Sequence, residues 1–217
     1  TIQLSISYIN KRIKNELSLD TINKLKDECL LDDYKKWDSV KNEIEIFRNA
    51  LKKAKIESDK IETALEYYLP KLIPAGTKGV IRGNKFNKIA KETITNMNLD
   101  SDKFRIRFER KCGHCNTDEI PDWYILEKSS KKVIIGMNQL DLWTGGQQSN
   151  RGSKYLINNK INTDTSKLLC VVCNDKKMTS DTNKCYNFFD IGFRNDTLCY
   201  LNGLKKIITT YFDIDDT

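Results

Sequence analysis

Histidine is almost missing from this 217-residue chain, with His114 its single copy, and proline occurs only three times. A hydrolytic site built on a histidine base therefore has one candidate, and that residue is squeezed between Cys112 and Cys115, a poor place from which to collect a proton. Long apolar runs are also lacking. No stretch approaches the roughly 20 uninterrupted apolar residues of a membrane span, so no membrane is expected as a partner. The opening TIQLSISYINKRIKNELS is amphipathic but has neither a continuous apolar segment nor a small-residue cleavage site, which argues against a secretory signal. Internal repeats and low-complexity tracts are absent too, beyond a general richness in Lys, Asn and Ile. What remains, 39% hydrophobic and 31% charged residues, suits a globular protein with a modest core. Seven cysteines, four of them in two CxxC pairs, fit an intracellular, reducing setting and metal ligation better than a disulfide scaffold.

The formal charge of +7 is unevenly spread. Residues 1–70 carry 13 basic and 13 acidic side chains, residues 71–160 carry 17 and 9, and residues 161–217 carry 7 and 8. The whole excess lies in the middle segment. A concentrated positive surface attracts a polyphosphate backbone through counterion release and steering, although a lysine-rich solvated face has the same composition.

Hydrophobic spacing divides the chain into a helical region over 1–70 and an α/β domain over 71–217. Tyr34, Trp37, Val40, Ile44, Phe47 and Leu51 recur at intervals of three and four, predicting one long amphipathic helix. Ile61, Leu65 and Tyr68 predict a second after a Ser58 cap, and Pro70, Pro74, Gly76 and Gly79 break the pattern. Gly83-Asn84 reads as a turn before a helix whose buried face is Phe86, Ile89, Ala90 and Ile94. Phe104–Phe108 alternates apolar and basic residues, a half-buried strand with Arg105 and Arg107 outward. Trp123–Glu127 and Lys132–Leu140 read as a hairpin turning at Ser129-Ser130, Leu168–Val172 as a short strand, and Leu201, Leu204, Ile208 and Tyr211 as a closing helix.

The hairpin gathers polar groups. A two-residue turn sets Lys128 against Lys131 and Asp122 against Met137, so that Asp122, Gln139 and Asp141 share one face. A change of one residue in the turn would bring Asn138 there instead. Carboxylate and amide oxygens placed together can hold Mg²⁺ against a phosphodiester and position a water, whereas an isolated Pro-Asp is more often a simple strand entry. Beyond the hairpin, Gly145-Gly146 lets the backbone turn sharply or approach a phosphate, or ends the strand ahead of a helix capped by Ser149. Gln147, Asn150 and Arg151 are side chains suited to phosphates or base edges.

The ordered set Gly79-x-x-Arg82-Gly83-Asn84-x-Phe86, a strand, Pro121-Asp122 and a second strand resembles type II restriction endonucleases of the PD-(D/E)xK nuclease superfamily. Leu140–Tyr155 also looks like the stretch that follows the second catalytic strand in some of those enzymes. The likeness covers about residues 79–157. It implies a restriction-endonuclease-like mixed sheet flanked by helices, Mg²⁺ as catalytic cofactor and double-stranded DNA as substrate. It also implies Asp122 as metal ligand, Gln139 in the place of the superfamily lysine, and possible homodimers, because palindromic sites are read by pairs. Arg82, Asn84, Arg105, Arg107, Gln147, Asn150, Arg151 and Lys154 are the DNA-contact candidates. The chain departs from the pattern where Met137 replaces the second acid and where Asn87 stands in for a glutamate that often follows on the helix. Asp141 or another carboxylate is then needed to complete the metal site.

Cys112-x-x-Cys115 and Cys170-x-x-Cys173, separated by 54 residues, are spaced as two knuckles of a structural Cys₄ Zn²⁺ site, with free or redox-active thiols as the alternative. Cys185 and Cys199 are possible substitute ligands, and Cys29 reads as core. Besides DNA cleavage, a catalytically inactive zinc-stabilised DNA-binding module and a zinc-bearing protein-interaction module are compatible with this set of features.

Overall fold

The structure is a computed structural model and describes residues 2–143 and 146–214, with side chains from Ser5 onward. Two compact units divide it, residues 20–86 and residues 1–19 with 87–217. This differs from a single boundary near residue 70. The reason lies in the proline–glycine segment, which interrupts the chain only briefly. Helix α6, Ala75–Thr95, runs through Gly76, Gly79 and Gly83-Asn84 without a turn, and the units part within it.

The smaller unit holds α2 (Leu19–Lys24), a 3₁₀ turn at Asp27–Leu30, α3 (Leu31–Lys35), α4 (Asp38–Lys53), α5 (Ser58–Leu72) and the start of α6. The stripe expected on one long helix is shared between α3 and α4, because the chain breaks before the extended Trp37, which precedes α4. Pro70 lies inside the last turn of α5 rather than ending it, and Tyr68 points outward while Ile61, Leu65 and Leu69 are buried. Leu30, Tyr34, Val40, Leu69, Ile73 and Ile81 form the unit's own core. Asp27 ties it together, accepting hydrogen bonds from Tyr34 Oη at 2.6 Å and Arg82 Nη2 at 2.8 Å, with Lys78 Nζ at 3.4 Å.

The larger unit is a mixed α/β arrangement around a five-stranded sheet in the order β1-β2-β3-β4-β5. The strands are β1 (Phe104–Phe108), β2 (Trp123–Glu127), β3 (Val133–Gln139), β4 (Ser166–Val172) and β5 (Leu198–Tyr200). β1, β2 and β3 are antiparallel neighbours, whereas β4 and β5 join in parallel. The crossover from β3 to β4 carries α7 (Gly146–Gly152) and a π-type turn at Ser153–Ile157. The crossover from β4 to β5 carries α8 (Tyr186–Arg194), and α9 (Leu204–Tyr211) follows β5. α8 and β5 have no counterpart in the sequence reading. The first four strands do, within two residues at each end.

Parallel pairing buries β3 and β4 on both faces, which explains their near-continuous apolar composition. On one face Met137, Leu168, Cys170 and Val172 pack with Ile9 and Ile13 of α1 (Ile2–Glu16) and with Phe188, Phe189 and Phe193 of α8. α1 is fastened there by polar groups as well. Asn10 exchanges two 2.8 Å hydrogen bonds with the backbone of Met178, and Arg12 pairs with Glu16.

Candidate functional site

The hairpin register is the one expected from its turn. Trp123 pairs with Gly136 and Leu126 with Val133, and one step before β2 begins Asp122 also donates its N–H to the carbonyl of Gly136, at 3.1 Å, so that it bulges beside Trp123. At that position the N–H of Asn138 has no strand partner, and Asp122 Oδ2 accepts it at 2.7 Å. Asp122 Oδ1 accepts from Asn87 Nδ2 of α6 at 2.9 Å. Asn138 Nδ2 donates in turn to Asn87 Oδ1 at 3.0 Å, and Trp123 Nε1 donates to Asn138 Oδ1 at 3.1 Å. Asn87 and Asn138 are thus both present at the carboxylate, one as an amide where the resemblance led to an acid, the other chiefly through its backbone. Burial pushes the Asp122 carboxyl above the usual range. The N–H groups of Asn138 and Asn87 and the charge of Arg151 oppose that rise without cancelling it.

Asp122 lines a cleft of about 770 Å³ together with Glu119, Met137, Asn138 and Gln139. The other wall is helical: Gln147, Asn150, Arg151 and Lys154 stand at i, i+3, i+4 and i+7, one helix face running from α7 into the π-type turn, with Tyr155 beside them. Buried Gln139 accepts a hydrogen bond from Arg151 Nη1 at 2.9 Å through its Oε1. Glu119 pairs with Lys154 Nζ and accepts from Tyr155 Oη at 2.9 Å. Burial acts to raise the Glu119 carboxyl, but Lys154, Tyr155 and Arg151 outweigh it and hold the group below its ordinary value.

Asp122 and Gln139 therefore meet at one cleft, and Gln147, Asn150, Arg151 and Lys154 face it with them. Asp141 does not join them. β3 ends at Gln139, so strand alternation no longer governs Asp141. Its Oδ1 accepts from the N–H of Trp143 at 2.7 Å and its Oδ2 from Lys176 Nζ at 3.0 Å. Glu119, and not Asp141, is the second carboxylate that lines the cleft. Its only signal in the sequence was proximity, three residues before Asp122 in the same irregular entry to β2. Arg82 belongs to the helical unit, paired with Asp27, and Asn84 is exposed on α6. Arg105 and Arg107 project from edge strand β1 beside a separate hollow shared with Ser101 and Lys128. Thr144 and Gly145 lie outside the described residues.

The cysteines of the two motifs lie in different surroundings. Cys112 and Cys115 adjoin each other over the sheet face of Tyr124, Leu126, Val133 and Ile135, whereas Cys170 is wholly buried within β4 and Cys173 Sγ donates to the carbonyl of Leu140. Among the described residues no three His, Cys, Asp or Glu side chains gather where one metal ion would bind. Strand β4 carries Cys170 within the apolar core. Cys29, expected in a core, is exposed.

No helix among the described residues is long and apolar enough to cross a membrane. Comparison with family models, curated proteins and solved structures finds no match to this chain.

Proposed function

We propose that this chain is a metal-dependent endonuclease acting on double-stranded DNA, with Asp122 as the carboxylate that holds a catalytic Mg²⁺. One observation carries the reading. A carboxylate whose two oxygens are oriented by Asn87 and Asn138, and whose charge burial disfavours, sits in an open cleft with no salt bridge among the described residues. Such a group gains from a divalent cation. Mg²⁺ is commonly bound through one or two carboxylates together with substrate phosphates and water, so the donor set fits. Glu119 is the second carboxylate within the cleft, although Lys154 and Tyr155 engage it in this state. The metal would supply Lewis-acid charge and an activated water. The protein's own contribution is to orient Asp122 and to present the polar wall of Gln147, Asn150 and Arg151 to a nucleic-acid backbone.

Plasmid DNA incubated with the purified chain and Mg²⁺ should yield discrete fragments, and Asp122→Ala should abolish them while leaving the fold intact. Intact plasmid across a panel of divalent metals and DNA substrates would reject the reading. A second reading, DNA binding without cleavage, is favoured by Met137. It lines the cleft where a second strand carboxylate would serve a hard cation. In that case salt-sensitive duplex binding survives Asp122→Ala and needs no metal.

A further inference from the structure

The cleft holds two cations in opposite electrostatic states. Lys154 is neutralised by Glu119. Arg151 forms no salt bridge among the described residues and is held instead by a neutral group, the amide oxygen of buried Gln139. A carboxylate in that position would fix the guanidinium and cancel its charge. An amide fixes it without an ion pair, leaving only the longer-range pull of Asp122 and Glu119 on its charge. Among the described residues Nη1 is the only guanidinium nitrogen with a side-chain partner, and Arg151 lines the same cleft as Asp122. A planar cation with a free fork of donors matches an oxyanion better than a solvated ammonium already paired to an acid.

We propose that Arg151 is the residue that takes a phosphodiester oxyanion in this cleft, and that Gln139 is its positioning residue. The inference deepens the nucleic-acid reading and relies on it only for the class of anion. Arg151 contacts phosphate and not a base edge, and Lys154 contributes little because binding would first have to separate it from Glu119. A phosphate seated on Arg151 lies in the same cleft as the Asp122 carboxylate, where substrate and metal would meet.

The test is equilibrium binding of the full chain to a panel of 20-base-pair duplexes in EDTA, read by fluorescence anisotropy over a range of salt. Loss of one charge-assisted contact corresponds to about tenfold in affinity or more. Arg151→Met should therefore weaken all duplexes alike by that factor and reduce the salt slope by about one ion. Lys154→Met should change affinity less than about threefold, on the scale of an exposed pair. Gln139→Glu is the decisive variant. It keeps size and shape and strengthens the contact with Arg151, so the fold is retained, yet it should lose as much affinity as Arg151→Met because the cation is now paired. Wild-type affinity in Gln139→Glu, or an Arg151→Met effect confined to some duplex sequences, would overturn the assignment. Absence of duplex binding by the wild-type chain at low salt would overturn it as well. Binding that depends on Arg151 in a protein that cuts no DNA with any metal would uphold it and reject only the nuclease reading.

Discussion

The indole of Trp123 occupies the space above Gly136, its partner across β2 and β3, so closely that a Cβ on Gly136 would lie 1.8 Å from Trp123 Cε2. Glycine is required here for room rather than for backbone conformation. The clash would involve the body of a rigid, fully buried ring, not the end of a flexible chain. Gly136→Ala should destabilise the protein by about 1–3 kcal/mol or more, the cost of overpacking a core. A chemical-denaturation midpoint equal to that of the wild type would contradict this packing.

That same indole reaches the candidate site through Asn138. Trp123→Phe preserves an aromatic ring but removes the donor to Asn138 Oδ1, a loss of about 1 kcal/mol for a hydrogen bond of this kind. Asn87→Ala removes a donor to Asp122 directly. Neither side chain is expected to touch substrate, so both variants should slow single-turnover cleavage while duplex affinity stays near the wild-type value. Equal losses in affinity and rate would mean that the network supports the fold alone.

The helical wall of the cleft depends on a second close approach. A Cβ on Gly152 would fall 2.6 Å from Phe188 Cδ2, so the end of α7 rests directly on an aromatic ring of α8. Gly152→Ala should push α7 away from the sheet and break the contact between Arg151 and Gln139, which needs both walls in place. Weaker duplex binding is expected, with little change in secondary structure by circular dichroism. Unchanged binding would show that α7 can shift without disturbing Arg151.

Turn length carries the hairpin register, since β2 is apolar and buried on both faces and its pattern alone would not select one register. Strand alternation misled at Asp141, where the strand had already ended and the chain satisfied its own N–H groups. Helix α6 was hidden by Gly76, Gly79 and Gly83, which are poor helix formers. Open space surrounds each of them, so nothing but propensity opposed the helix. Glu119 was illegible for a different reason. It stands in an irregular segment with no periodicity, and its partners Lys154 and Tyr155 lie 35 and 36 residues away. The cysteines show the limit of spacing as a signal. A CxxC pair can be read locally, but whether two pairs converge depends on strand positions that local spacing does not encode.

In the helical unit the stability of the Asp27 cluster should depend on pH. Burial acts to raise the Asp27 carboxyl, but the Tyr34 hydroxyl and the charges of Arg82 and Lys78 outweigh it and hold the group below its ordinary value. A carboxyl with a lowered folded-state pKa contributes stability above its unfolded value, near 4, and that contribution fades as pH falls through the folded value. Asp27→Asn keeps an acceptor for Tyr34 but loses the charge, so it should cost about 0.5–1 kcal/mol at neutral pH once solvent screening of these partly exposed groups is counted. The difference from the wild type should shrink as pH falls below the unfolded value and vanish once the pH is under the lowered folded-state value. Amide hydrogen exchange across α3 and α5 at pH 7 should show the same loss of protection locally, since Tyr34 and Leu69 share one core. A penalty that stays constant from neutral to acidic pH would assign the effect to packing and leave the carboxylate's charge without a role.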